Sequence, residues 1–155
     1  MSLTLSGAIT GATVSGLTSP TYTPTSITSP NNNSKSWSIT ALGGTQTGVD
    51  VHSASKPFTH TIFGPTSIRG LGTPNPVTGV IKSFPTNNYR LNTRKGVAPA
   101  ASQPNQLCRI STVWEVPAGA DSYDSANIKA AHSSHVGVLW GNSSSLCDTL
   151  LSGNI

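Results

Sequence analysis

The stretch LCRISTVWEVPAGADSYDSANIKAAHSSHVGVLWGNSSSLCDTLLSG, Leu107 to Gly153, decides the architecture. It opens as a strand, Leu107 to Val116. Ile110, Trp114 and Val116, with Cys108 and Thr112 between them, share one face, and Arg109, Ser111, Val113 and Glu115 share the other. Pro117 lacks an N–H and stops the ladder. A helix is predicted after Pro117-Ala118-Gly119-Ala120, with Asp121 or Ser122 as N-cap and Asp124 favouring the positive end of the helix dipole. Ile128, Ala131, His132, His135, Val136, Val138 and Leu139 recur at helical spacing along one side. Gly141-Asn142 interrupts this run. Asn142 then opens a second short helix carrying Leu146, Cys147, Leu150 and Leu151, and Gly153 suits its C-terminal cap.

Upstream, the chain reads as β-structure. Residues 1–34 show short apolar alternation broken by Gly7, Gly11 and Gly16, a hairpin signal, followed by a Thr/Ser/Pro-rich loop from Ser19 to Pro30. Trp37, Ile39 and Ala41 alternate with Ser36, Ser38 and Thr40, which predicts a half-buried strand. Val49–Ser55 is a weaker strand candidate, Phe58–Phe63 a stronger one, and Ser67–Gly72 a possible continuation. Val77–Phe84 and Asn88–Lys95 are expected as an antiparallel pair joined at Pro85-Thr86-Asn87. Gly96–Gln106 has no periodicity and two prolines, and reads as a long loop of the kind that often carries function. The expected fold is α+β: an N-terminal hairpin and loop (1–34), a five-stranded antiparallel sheet (36–116) and two C-terminal helices (121–152), in one domain spanning 1–155.

Composition narrows the function classes. Apolar residues make up 35% and charged residues 9% of the chain, against about 45–50% and about 25% in ordinary soluble domains. Little apolar surface is left for a self-sufficient monomer core. The net charge of +4 is unevenly spread. Lys35, Lys56, Arg69, Lys82, Arg90, Arg94, Lys95 and Arg109 crowd the middle against Asp50 alone. Lys129 stands against Glu115, Asp121, Asp124 and Asp148 at the end. A polyanion is the natural partner of the basic part. No stretch reaches the roughly 20 apolar residues of a membrane span, so no membrane partner is expected. The N-terminus has neither the basic region nor the apolar run of a signal peptide. Cys108 and Cys147 form no paired framework, and the expected location is intracellular. Cys108 reads as core, and Cys147 as core or a crosslink between subunits.

Geometry points to a second copy. Five strands at about 4.8 Å spacing make a sheet about 24 Å wide. A helix is about 10 Å across, and the second one is short. Two such helices leave one face partly bare and one edge strand open. Dimerisation removes both problems, with strands paired edge to edge and each chain's helices across the other's sheet. Ile128, His132, His135, Leu139, Leu146 and Leu150 are the expected interface residues.

The run from Val116 to Leu139, followed by Cys147-Asp148-Thr149-Leu150-Leu151-Ser152-Gly153 and preceded by Tyr89–Gly96, resembles the coat proteins of single-stranded RNA bacteriophages (leviviruses). Residue-level likeness spans about Pro76 to Ile155; upstream, the order of elements is alike. The resemblance implies an interlocked dimer that closes into an icosahedral shell around RNA, with helices outward and sheet inward. It implies a virion protein assembled in the bacterial cytoplasm, whose Gly96–Gln106 loop gathers at the shell's axes. It also implies binding of an RNA hairpin with translational repression, as in several members, although the Tyr and Asn that contact bases in well-studied members are not matched here. Arg90, Asn92 and Arg94 share one parity of their strand, and Arg109 and Ser111 one parity of the next. With Lys82 they are the expected RNA-binding residues, because Arg suits phosphate oxygens and Asn suits base edges.

Other chemistry finds little footing. His132 and His135 sit three apart on a helix, yet nothing completes a metal site, and no metal or cofactor is expected. There is no Gly-x-Ser-x-Gly, and few carboxylates are present for acid–base work, so no enzyme is expected. The alternative class is a β-rich adhesin or carbohydrate-binding module, which Ser/Thr/Asn richness suits; it lacks a signal peptide and an aromatic binding platform.

Overall fold

The computed structural model describes residues 3–154. Met1 and Ser2 of the expected N-terminal unit, and Ile155 at the other end, lie outside them. Six strands are followed by three helices: β1 (Ile9–Thr10), β2 (Thr18–Ile27), β3 (Ser34–Thr45), β4 (Phe58–Phe63), β5 (Thr86–Val97), β6 (Gln106–Pro117), α1 (Ala120–Tyr123), α2 (Ser125–Gly141) and α3 (Ser143–Ser152). The strands form one antiparallel sheet in sequence order, β1 to β6. The class is α+β, as expected.

Several strand assignments change. Ser19–Pro30, expected as a loop, supplies β2. Its prolines are tolerated because the β2–β3 register slips between Thr18 and Thr21 and between Thr23 and Pro24; a bulge is where a strand can hold a residue without an N–H. Val77–Phe84, expected as a strand, is not one. It belongs to a connection from Gly64 to Pro85 in which Asn75 Oδ1 accepts from the backbone N–H of Val77 (2.8 Å) and Thr78 (3.1 Å). That side chain supplies the local bonds a ladder would have supplied. Thr86, expected in a turn, instead begins β5 opposite Pro117. Val49–Ser55 and Ser67–Gly72 are also irregular. The segment from Thr47 to Pro57 docks on the sheet through His52 N–H to Ile39 O (2.8 Å) and Gly96 N–H to Pro57 O (2.7 Å).

The helical end is one break richer than its sequence predicts. Gly119 (φ 86°) turns the chain into α1, and Asp124, the expected first-turn acid, separates α1 from α2. Its carboxylate accepts from Asn127 Nδ2 and caps no backbone N–H. Asn142 does separate α2 from α3, but its Nδ2 donates back to Val138 O (3.1 Å). Gly153 (φ 75°) closes α3 as expected, donating to Thr149 O.

The core is small. Among the described residues, the buried apolar residues are Trp37, Ile39, Phe58 and Ala118. Tyr22 meets Phe58 edge-on at 5.6 Å, and burial raises the Tyr22 phenol's pKa. No residue of α2 or α3 is buried. Cys108, expected in the core, is exposed within the single chain.

Candidate functional site

The β4–β6 register sorts the expected polar residues onto one face. Arg90 pairs with Val113, Asn92 with Ser111 and Arg94 with Arg109. On the other side of β5, Arg90 pairs with Phe63, Asn92 with Thr61 and Arg94 with Thr59. Cross-strand partners point the same way, so Arg90, Asn92, Arg94, Arg109 and Ser111 share one surface. Ser111 Oγ donates to Asn92 Oδ1 at 2.8 Å. Arg90 stacks its guanidinium over the Phe63 ring, 4.9 Å from the centroid. Lys82 is the exception: the strand expected to carry it does not form, and it lies exposed in the 64–85 connection.

A groove of about 470 Å³ opens on this face, lined in part by Ser36, Thr59, Thr61, Asn92, Arg94 and Arg109. Ser36 and Thr61 hydroxyls bond at 2.9 Å on its floor. Sequence reasoning missed Thr59, Thr61 and Phe63 as members of the surface; their alternation with His60 and Ile62 in β4 was the available signal. Lys56 pairs with Asp50 at 2.6 Å, and among the described residues none of Arg90, Arg94 and Arg109 forms an ion pair with a carboxylate.

The opposite face is largely apolar. Tyr89 pairs with Trp114, Leu91 with Thr112 and Thr93 with Ile110. His60 bonds Thr93 Oγ1 at 2.9 Å, and burial lowers its imidazole pKa. Lys95 lies over the Phe58 ring at 4.6 Å and donates to Asp50 O; burial lowers its ammonium pKa. The hydrogen bond and charge of Lys56 hold the Asp50 carboxyl below its ordinary value.

The expected interface residues fall in two places. Ile128, His132 and His135 line a groove of about 480 Å³ between α2 and β6, with Trp114 and Val116. Trp114 Nε1–H donates to His132 Nδ1 at 3.1 Å. Leu139, Leu146 and Leu150 are exposed, as is Ile110 on the apolar face of β6. Among the described residues no strand follows β6, so one side of a twelve-residue ladder is open.

The fold has a counterpart among solved structures. A virus-like particle of bacteriophage ESE020 matches with 47% identity and a TM-score of 0.96, over 99% of this chain and 100% of that one. The chain belongs to the bacteriophage coat proteins. No family model matches it, and no curated protein does. A structural role in the capsid explains a chain whose sheet and helices leave so much apolar surface uncovered. Among the described residues of this coat protein, no group of His, Cys, Asp and Glu is placed to hold a metal ion, and no helix is long and apolar enough to cross a membrane.

Proposed function

We propose that this is the coat protein of a single-stranded RNA bacteriophage, which dimerises and then closes into an icosahedral shell around its RNA. One observation carries the reading: the two faces of a single sheet are both unfinished. One face presents Arg90, Arg94 and Arg109, none of which is ion-paired with a carboxylate among the described residues. The other lies beside a seventeen-residue helix none of whose residues is buried. A second copy completes the apolar side. Its β6 pairs with the open edge and its α2 and α3 lie over Ile110 and Trp114. RNA completes the basic side, with the guanidinium groups on phosphate oxygens and Asn92 and Ser111 on bases or riboses.

The groove beside Asn92 and Arg94 also suits a single unpaired base, and binding of one hairpin with translational repression is a further use of the same surface. Competition between a coat-gene-proximal hairpin and bulk RNA tests that use; equal affinity for both removes it.

Expression of the chain alone in bacteria, followed by electron microscopy and nuclease treatment, tests the main reading. Regular closed particles holding nuclease-protected RNA are expected. Soluble monomers, or shells without RNA, contradict it.

A further inference from the structure

The connection from Gly64 to Pro85 has no role in the reading above, yet it is built as an ordered arm. At its base, the buried Asn87 side chain pairs with the backbone of Arg69 in both directions: Arg69 N–H donates to Oδ1 (2.8 Å), and Nδ2 donates to Arg69 O (3.0 Å). Ala118 N–H donates to Pro85 O at 2.8 Å. At its tip, Asn75 Oδ1 holds the Val77 and Thr78 amides, Asn75 N–H reaches Val80 O (3.0 Å), and Gly79 N–H reaches Asn75 O (2.8 Å). This closed turn holds Val77 91% and Val80 59% exposed. The turn thus presents two valines together to water.

Beside the arm's base is a hollow of about 400 Å³ with an almost wholly apolar lining, including Leu71, Ile81, Phe84, Ala120 and Tyr123. Tyr123 is 96% exposed. Asp124 stands at this hollow's margin, and Asp121 is its neighbour on α1. The arm carries Arg69 and Lys82 and no carboxylate. An exposed apolar tip on a basic arm and an apolar hollow with an acidic margin are complementary in polarity and charge.

We propose that the Val77–Val80 tip of one subunit seats in the Leu71–Phe84–Tyr123 hollow of a neighbouring copy outside the dimer. This rests on the shell reading. Pairing at the β6 edge is self-complementary and closes after two chains, so a shell needs at least one further contact between unlike surfaces. The tip and the hollow are unlike surfaces of that kind, and each chain carries both.

The test uses the full chain in two variants beside the wild type. In the first, Val77→Asp with Val80→Asp places two carboxylates on the tip without disturbing a buried residue. Dimers of unchanged helix content are expected, with shell yield lowered at least tenfold. In the second, Val77→Cys is combined with Tyr123→Cys in assembled particles. Mild oxidation is expected to give, on a non-reducing gel, a ladder of linked chains that neither single cysteine variant gives. Wild-type-like yield and melting of the aspartate particles would overturn the contact while leaving the shell reading intact. Loss of shells without the cysteine ladder would overturn the hollow as the seat and leave another partner on the tip. Absence of shells from the wild type removes both readings together.

Discussion

Arg94 stands directly opposite Arg109 across β5 and β6. Like charges at paired positions of neighbouring strands repel by an amount comparable to a favourable cross-strand pair, about 0.2–1 kcal/mol. Nothing acidic among the described residues relieves the pair. Two guanidinium groups held together without an ion-paired carboxylate suit the anionic partner of the proposed reading, because phosphate fits both the charge and the fork geometry.

Replacing both residues, as Arg94→Gln with Arg109→Gln, therefore has two opposite effects. The RNA-free protein gains up to about 1 kcal/mol of stability from relief of repulsion. Its affinity for single-stranded RNA falls, and the slope of log K against log salt shrinks by about 1.4, roughly 0.7 for each phosphate that is no longer neutralised. Chemical denaturation and salt-dependent binding check the two arms. An unchanged slope places RNA on another face.

His60 gives the fold an acid limit. Burial lowers its imidazole pKa from the ordinary 6.5, so the unfolded chain takes up this proton before the folded one does. The stability this group contributes is complete above its unfolded pKa and is lost as pH falls through the folded value. The melting temperature is expected to start falling as pH drops toward the ordinary histidine value of 6.5, and His60→Gln, which has no proton to gain, flattens that fall. Parallel slopes for the two proteins would assign the acid sensitivity elsewhere.

Gly119 holds φ at 86°, and a Cβ there would lie 2.7 Å from Leu71 Cδ2. Gly119→Ala meets both backbone strain and a clash with the 64–85 arm. A loss of about 1–3 kcal/mol in the unfolding free energy is expected, with fewer assembled particles, because this residue aims the chain into the helices. Wild-type stability in denaturant would contradict the strain.

Asn87→Ala removes both side-chain bonds to Arg69. Leaving those backbone groups unpaired costs about 1–3 kcal/mol, and the loss falls on the arm before it falls on the sheet. Limited proteolysis is expected to cut within residues 66–84 of the variant at protein concentrations where the wild type survives. Equal resistance would show that the arm is held by its apolar contacts alone.

Much of the fold was legible in the chain because period-2 parity is robust. The residues from Tyr89 to Lys95 and from Leu107 to Val116 alternate cleanly, so the face shared by Arg90, Asn92, Arg94, Arg109 and Ser111 follows once the two strands are taken as neighbours. The α2–α3 break at Gly141-Asn142 was equally plain. What misled was local punctuation. Pro20 and Pro24 made β2 look like a loop, because a proline at a bulge and a proline in a loop are identical in sequence. Val77, Ile81 and Phe84 made an irregular arm look like a strand, since the side chain of Asn75 satisfies the turn in a way no hydropathy pattern records. Lys82 was placed on the wrong element for the same reason. Burial of α2 could not be read from its spacing: its apolar positions recur as expected, yet none of them is buried against the chain's own sheet.

Completion of the sheet and helices by a second copy is thus the central claim. Light scattering of RNA-free protein at low micromolar concentration tests it most directly. A particle of twice the 15.9 kDa chain mass, undiminished on dilution, is the expected result. A single-chain mass with full helical circular dichroism would show that the helices stand without a partner, and would contradict it.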